Sequence, residues 1–217
     1  MQIHHLSENN SVLNHFLGQI RDINIHNDSL RFRKNMERIG EIMAYEISKN
    51  LDYQSVAIPT PLGKKATHYI KNSLVICSIL RAGLTLHNGF LNYFDAAENG
   101  FISAFRHHPN NDDFFEIIVQ YEAVADINNK TVVVVDPMLA TGQSIVAVFK
   151  RLMERGTPSE IHIAVVIAAP EGIAHLETEL PDTCHLWIAA TDDHLNEHSY
   201  IVPGLGDAGD LAYGQKL

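Results

Sequence analysis

The residues best suited to binding or catalysis lie in one short stretch, TVVVVDPMLATGQSI, from Thr131 to Ile145. Its four valines form a run that is apolar on both faces, which is typical of a buried strand in a parallel sheet. Asp136 follows them, and we expect it to be the first residue to leave the sheet. The sequence therefore predicts a single carboxylate at the mouth of a buried strand.

The loop after this acid has the composition of an anion site. PMLATG, residues 137–142, leads into a predicted helix near Gln143 and Ser144, and free backbone N–H groups at a helix N-terminus bind anions. A phosphate would lie over Ala140 to Ser144, whereas Asp136 suits hydroxyl groups or a metal-bridged hydroxyl. The loop and Asp136 together predict a sugar phosphate as ligand. The alternative is a strand–helix turn that binds nothing.

The elements that must position these residues alternate along the chain. Apolar runs predict strands at Ser55–Pro59, Leu74–Ile79, Phe101–Phe105, Phe114–Tyr121, Val132–Asp136, Ile161–Ala169 and Cys184–Ala190. Periodicity and caps predict helices from Asp28 or Ser29 to about Asn50, and at Leu84–Phe94, Ser144–Arg155 and Pro170–Leu180, with a loop or hairpin over Pro59–Asn72.

Strands that alternate with helices indicate an α/β fold with a parallel sheet and right-handed crossovers. Ligands of such sheets bind at the carboxyl ends of the strands. That rule brings three stretches to one edge: LRAG (80–83), DPMLATG (136–142) and TDDHLNEH (191–198).

Composition excludes several classes of function. The chain has 217 residues and a net charge of −10, without a basic run, which argues against a general nucleic-acid or membrane-surface binder. The N-terminus has no signal-peptide pattern and no apolar run is long enough to cross a membrane, so we expect a cytoplasmic protein. Cys77 and Cys184 lie in apolar runs and are expected to be reduced and buried. His194 and His198, beside two aspartates, could suit zinc, but no third histidine follows and no direct metal site is predicted.

Several separated motifs resemble the type I phosphoribosyltransferases. VVVVDPMLATGQS resembles their loop for phosphoribosyl pyrophosphate (PRPP), and its DPMLATG form, with Pro137 where most relatives have a second acid, is typical of the uracil phosphoribosyltransferase family. ILRAG (79–83) is similar to the pyrophosphate loop, AAPEGI (168–173) follows the next strand, and LNEHSYIVPGLGDAGD (195–210) resembles the uracil-binding segment. The resemblance extends from Leu74 to the C-terminus and includes the helix at RFRKNMERIGEIMAYE.

The resemblance implies a type I phosphoribosyltransferase fold, in which helices flank a mostly parallel central sheet. It implies one domain, 1–217, made of a helical extension (1–50), a PRPP-binding core (70–190) and a uracil-binding segment (191–217). Arg106 matches an arginine at the foot of a flexible arm, and residues 107–113 would form the arm's tip and act as a lid. The family often has YRN followed by acids, so FRHHPNNDD departs from the pattern.

The reaction implied is uracil plus PRPP giving UMP and pyrophosphate, in pyrimidine salvage, with Mg²⁺ carried by PRPP. The resemblance assigns catalysis to Arg81, Asp136 and Asp207; PRPP binding to Arg81, Arg106, Asp136, Pro137, Met138, Leu139, Ala140, Thr141, Gly142, Gln143, Ser144 and Asp207; and uracil binding to Tyr200, Ile201, Gly206, Asp207 and Ala208.

Chemistry supports two of these roles. A guanidinium suits a bidentate hold on phosphate oxygens, as Arg81 would make, and Gly83 would let the backbone approach the ligand. PGLGDAGD (203–210) looks too irregular for a helix or strand, and its backbone groups can match the donors and acceptors of uracil. The terminal GQKL (214–217) is expected to matter little.

The resemblance also implies a homodimer or higher homo-oligomer. Some members of the family respond to GTP, so GTP binding is included among the implied properties, although the chain has no self-sufficient GTP motif. Two alternatives stay open: a phosphoribosyltransferase for another base, and a non-catalytic regulator of the same fold that binds nucleotides or RNA. A panel of bases and a salt-dependent RNA shift would separate them.

Overall fold

The computed structural model describes residues 1–107 and 116–216, and the side chains of all of these except 105–107 and 116–117. The strands are β1 (Gln2–His5), β2 (Tyr53–Thr60), β3 (Gly63–Ile70), β4 (Leu74–Leu80), β5 (Glu98–His107), β6 (Glu116–Val124), β7 (Thr131–Leu139), β8 (Glu160–Ala168), β9 (His185–Thr191), β10 (His194–Leu195) and β11 (Ile201–Val202). The helices are α1 (Val12–Arg21), α2 (Ser29–Ser48), α3 (Gly83–Leu91), α4 (Gln143–Met153), α5 (Pro170–Glu179) and α6 (Ala208–Tyr213).

A mostly parallel central sheet confirms the predicted fold class. Within the described residues, seven strands form it in the order β1-β9-β8-β7-β4-β5-β6, and every neighbouring pair is parallel except β5 and β6. The hairpin of β2 and β3 and the short pair of β10 and β11 form separate two-stranded sheets. Strand order reverses where β7 lies beside β4, and such a switch point opens a crevice at the carboxyl ends of the two strands.

Helices cover both faces of this sheet. Alternate residues of β7 point to opposite faces, so Val133 and Val135 pack in the core beneath α1, α2, α3 and α6, while Val132 and Val134 pack beneath α4 and α5. No helix in the described ranges combines the length and apolar character needed to cross a bilayer.

Capping and periodicity located the main helices well. Asp28 caps α2, and its side chain accepts hydrogen bonds from the N–H groups of Leu30 and Arg31. Pro170 opens α5, where its missing N–H costs no helical hydrogen bond. The division of the chain into extension, core and uracil-binding segment stays a prediction, and the tip of the expected arm, 108–113, lies outside the described residues.

The strand that carries the conspicuous acid is longer than predicted. We expected Asp136 to leave the sheet, but β7 continues to Leu139, and Asp136, Met138 and Leu139 pair with β8. The extension is possible because β8 continues alongside to Ala168. Pro137 has no N–H to donate and is absent from the pairing register, so the ladder passes over it.

The strand expected at SVAIP is confirmed within the longer β2, and its pairing with β3 confirms a hairpin over Pro59–Asn72, outside the main sheet. Two further expectations were wrong in detail. The N-terminal extension is not wholly helical, because Gln2–His5 adds an edge strand parallel to β9. PGLGDAGD is not irregular throughout, because Asp207 caps α6 by accepting a hydrogen bond from the Asp210 N–H.

Candidate active site

A cleft of about 760 Å³ opens at the switch point of the sheet. Its lining comes from the ends of β4 and β7, from the loop between β7 and α4, from β5 and from the C-terminal segment around α6. Parallel strands end at the same edge, which is why residues as distant in sequence as Arg81 and Asp207 meet there.

The loop from β7 to α4 brings the start of a helix into the lining of the cleft. Gly142 is the N-cap of α4 with φ +79°, a left-handed conformation that favours glycine. A Cβ there would lie 3.1 Å from His175 Cδ2 and 3.2 Å from the Gly172 carbonyl oxygen. Among the described residues no side chain caps this helix end, so its first N–H groups remain available to an anion.

Asp136 lines the cleft in a partly buried position. Burial raises the pKa of its carboxyl group to about 7, and a hydrogen bond from the Met138 N–H to Oδ1 at 3.3 Å acts in the opposite direction. The group therefore changes protonation near neutrality. A ligand that donates hydroxyl hydrogens would favour its ionised, accepting form.

Arg81 follows β4 directly, through a cis Leu80–Arg81 peptide bond. Its Nη2 donates to Asp210 Oδ1 at 2.9 Å and to the Gly214 carbonyl at 3.3 Å, and its buried Nε has no hydrogen-bond partner within the described residues. The guanidinium thus joins the end of β4 to the C-terminal segment at the lining of the cleft.

Gly83, expected to approach the ligand, instead approaches the sheet. A Cβ at this position would lie 2.8 Å from the Val135 carbonyl oxygen and 2.9 Å from Ser78 Oγ. The glycine therefore allows α3 to begin close against β4 and β7. It does not line the cleft.

The C-terminal segment forms the opposite side of the cleft. Asp207 Oδ1 accepts a hydrogen bond from the Asp210 N–H at 2.9 Å, which orients the carboxylate at the start of α6. A Cβ on Gly209 would lie 3.1 Å from Asp207 Oδ1 and 3.7 Å from Arg81 Nη2, so a small residue there lets these two side chains reach the cleft. Tyr200 is 53% exposed and stands at the mouth.

The structure brings most of the predicted site residues together. Those that line the cleft are Arg81, Asp136, Met138, Leu139, Ala140, Thr141, Gly142, Ser144, Tyr200, Gly206, Asp207 and Ala208. Pro137 is buried in β7, Gln143 is exposed, and Ile201 is 5% exposed within the core, so these three do not line it. The side chain of Arg106 lies outside the described residues. The binding roles themselves stay predictions.

Sequence reasoning missed residues at two edges of the cleft. Ser103 and Ala104 line it from β5, where the register with β6 shifts between them. Lys216 lines it from the C-terminal end, GQKL, which the sequence analysis had left out of the site. A register shift in a strand and the path of a chain terminus depend on tertiary packing, and neither has a signal in the local sequence.

The described residues contain no cluster of side chains suited to binding a metal ion directly. Within 1–107 and 116–216, no three His, Cys, Asp or Glu side chains are grouped so that they could hold a metal ion. Asp192, considered above beside two histidines, is buried and pairs with Arg21. The cleft carboxylates Asp136 and Asp207 are oxygen donors of the kind that suits Mg²⁺ brought by a phosphate-bearing substrate.

Comparison with known proteins places this chain in a family. A model of the family described as uracil phosphoribosyltransferase matches residues 7–215. A curated uracil phosphoribosyltransferase of Porphyromonas gingivalis is 49% identical over 217 residues and covers 100% of both chains. One of Thermococcus gammatolerans is 37% identical over 213 residues, covering 97% of this chain and 92% of its own. The solved structure of the AQ2163 protein from Aquifex aeolicus superimposes with a TM-score of 0.87 at 29% identity, covering 98% of each chain. The chain belongs to the uracil phosphoribosyltransferase family.

Proposed function

We propose that this chain transfers the phosphoribosyl group of PRPP to uracil, giving UMP and pyrophosphate for pyrimidine salvage. The observation that carries the proposal is that one cleft joins an anion-binding loop, a carboxylate and a backbone-rich segment suited to a base. In the reaction the bond from C1′ to the pyrophosphate oxygen breaks, the bond from C1′ to the uracil nitrogen forms, and that nitrogen loses its proton.

The loop from β7 to α4 binds the 5′-phosphate of PRPP. The uncapped N–H groups at the start of α4 and the hydroxyls of Thr141 and Ser144 supply donors, and the helix dipole favours the negative charge. Asp136 accepts hydrogen bonds from the ribose hydroxyls in its ionised form. Phosphate and ribose are thus held by adjacent residues, which orients C1′ toward the base.

The departing pyrophosphate is held at the end of β4. Arg81 offers a guanidinium fork, and Lys216 adds a second positive charge at the cleft. Mg²⁺ bound to PRPP would neutralise charge on the leaving pyrophosphate. The residues of the chain supply the positioning, and they stabilise the charge that develops as the bond breaks.

Uracil lies against Gly206, Asp207 and Ala208. Gly206 has φ +93° and exposes its backbone groups to the cleft, where they can pair with the alternating donors and acceptors of the base. Cytosine presents a different edge and would leave buried groups unpaired, which is a strong basis for rejection.

The partner of the β2–β3 hairpin is a second copy of this chain. Nearly all residues of the hairpin are exposed, including Leu62 at its turn, and an isolated two-stranded hairpin is marginally stable in water. The hairpin carries Lys64 and Lys65 and no acid, whereas the whole chain has a net charge of −10, so another copy offers complementary charge. Sedimentation velocity should show an oligomer that weakens in a Lys64→Glu/Lys65→Glu variant; a monomeric wild type would contradict this.

A cytoplasmic location completes the proposal. Cys77 and Cys184 are free and buried, and burial raises the pKa of the Cys77 thiol to about 12, so this thiol stays protonated and unreactive. Two reduced cysteines agree with a reducing compartment.

The first test is formation of UMP from uracil, PRPP and Mg²⁺, with cytosine, hypoxanthine and orotate in parallel. Turnover with uracil alone is the expected result. Turnover with hypoxanthine instead of uracil would show that the chain is a phosphoribosyltransferase for another base. Absence of turnover with every base, together with calorimetric binding of UMP, would indicate a regulator that keeps the pocket without the chemistry.

A further inference from the structure

A buried ion pair connects the N-terminal helix α1 to the end of β9. Arg21 is the last residue of α1, and its Nη1 and Nη2 donate to Asp192 Oδ2 at 2.8 Å and to Oδ1 at 2.5 Å. The Asp192 side chain is 3% exposed and that of Arg21 is 23% exposed. A two-point contact of this kind holds both side chains in a defined orientation.

The same two side chains bind both backbone groups of Gly204. Arg21 Nη1 donates to the Gly204 carbonyl oxygen at 2.9 Å, and the Gly204 N–H donates to Asp192 Oδ2 at 2.8 Å. Gly204 has φ +65°, and a Cβ there would lie 2.2 Å from the Ile201 carbonyl oxygen. The chain therefore turns sharply at this residue, and the Arg21–Asp192 pair holds the turn.

The turn leads directly into the base-binding part of the cleft. Leu205 is 3% exposed and anchors the next position in the core, and Gly206, the following residue, lines the cleft. Only one buried residue thus separates the held turn from the backbone that faces the base.

We propose that Arg21 and Asp192 are positioning residues for uracil, so that α1 sets the location of the segment Gly206–Ala208. The inference rests on the proposed function and deepens it. Neither side chain lines the cleft, so they act through the backbone of Gly204. Loss of the pair moves the base-binding backbone and leaves the phosphate loop, on the other side of the cleft, in place.

A purely stabilising pair would behave differently. Replacing a buried ion pair by apolar residues of similar size is often neutral for stability, because the desolvation cost of both charges disappears. The backbone groups of Gly204 would nevertheless lose their partners. In the double variant Arg21→Met/Asp192→Leu, a KM change for uracil that exceeds the change for PRPP separates positioning from a general loss of stability, which would affect both substrates. Arg21→Lys tests whether the fork geometry matters, since a lysine cannot make all three contacts.

The experiment measures the KM for uracil, the KM for PRPP and the melting temperature of each variant. We expect the double variant to raise the KM for uracil about tenfold or more, the magnitude for lost hydrogen bonds to charged groups, with less than about threefold change for PRPP. The melting temperature should fall modestly, because the backbone groups of Gly204 lose their partners while the desolvation cost of the two charges disappears. Arg21→Lys should fall between the double variant and wild type. Arg151→Ala is the matched control, because it removes an arginine from an ion pair with the largely buried Glu122, far from Gly204.

Hydrogen exchange of the peptide 201–211 supplies a readout that needs no turnover. Its exchange should accelerate in the double variant and stay as in wild type in Arg151→Ala. Equal changes in both KM values, or unchanged exchange, would overturn the positioning role. A wild type that neither turns over uracil nor binds UMP would refute the proposed function instead, and accelerated exchange would still show that the pair holds the turn.

Discussion

The two sides of the cleft are built in different ways. The proposed phosphate side is one continuous stretch from Asp136 to Ser144, in which a strand end and a helix start place every group. The proposed base side, Tyr200 to Gly209, is short of regular structure and is held by side chains from far away: Arg21 at Gly204 and Arg81 at the adjoining Asp210. The phosphate side should therefore respond to local substitutions and the base side to remote ones.

Asp136→Asn should have the largest effect on activity. An amide cannot replace a carboxylate as a double acceptor for ribose hydroxyls, so kcat/KM for PRPP should fall by about 100-fold or more. Stability should not fall. Burial raises the pKa of Asp136 from its usual value of 3.8 to about 7, so stability falls as pH rises from 3.8 to about 7 and is constant above that, and asparagine avoids this cost. Steady-state kinetics test the effect on activity, and thermal melts at about pH 8 test the effect on stability. Unchanged kinetics would remove Asp136 from the site.

Arg81→Ala should have the next largest effect, because Arg81 stands between the two sides. Loss of the guanidinium should raise the KM for PRPP by about tenfold or more, and the KM for uracil by less, through the lost contact with Asp210. Initial rates over a matrix of both substrates measure the two values. Equal increases would count against a role in holding pyrophosphate.

The pH dependence should isolate the phosphate side. If PRPP requires ionised Asp136, kcat/KM for PRPP should rise about tenfold from about pH 6 to about pH 8 as the group with pKa about 7 loses its proton. Asp136→Asn should lack this rise in kcat/KM. The PRPP phosphates titrate in the same way with both enzymes, so they cannot account for a difference between the two profiles. Parallel profiles for the two enzymes would assign the rise to another group.

Two glycines permit a matched comparison between the sides. Gly204→Ala places a Cβ 2.2 Å from a backbone oxygen, whereas Gly142→Ala meets its nearest atom at 3.1 Å. Both have positive φ, so each should destabilise by about 1 kcal/mol or more, with the larger loss at Gly204. Gly204→Ala should raise the KM for uracil by several-fold and Gly142→Ala that for PRPP. Chemical denaturation and kinetics check this, and reversed substrate effects would contradict the division of the cleft.

Ile201→Val should have the smallest effect. The side chain is 5% exposed in the core and does not line the cleft, so the change should cost about 1 kcal/mol of stability. Kinetic constants should stay within about twofold of wild type. A selective rise in the KM for uracil would restore this residue to the base site that the family resemblance implied.

Local chemistry explains how much of the fold was predictable. The runs at Leu74 and Val132 predicted buried parallel strands because their pattern needs apolar cover on both faces. The loop before α4 was predictable for the same reason, since the start of a helix depends on neighbouring residues. Local sequence did not predict the end of β7. The strand continues to Leu139 because the neighbouring strand β8 offers partners that the sequence of β7 does not reveal.

The sequence by itself thus determined the alternating architecture, the presence of Asp136 near the end of its strand, the loop that leads into α4 and the motifs that mark the family. Only the tertiary structure decided what holds the base side. Arg21 and Asp192 are 171 positions apart, and their contact exists because α1 packs over the sheet beside the end of β9. Periodicity and capping describe interactions between neighbours in sequence, whereas an ion pair across the fold depends on how the layers pack, and so does the placement of Lys216 in the cleft.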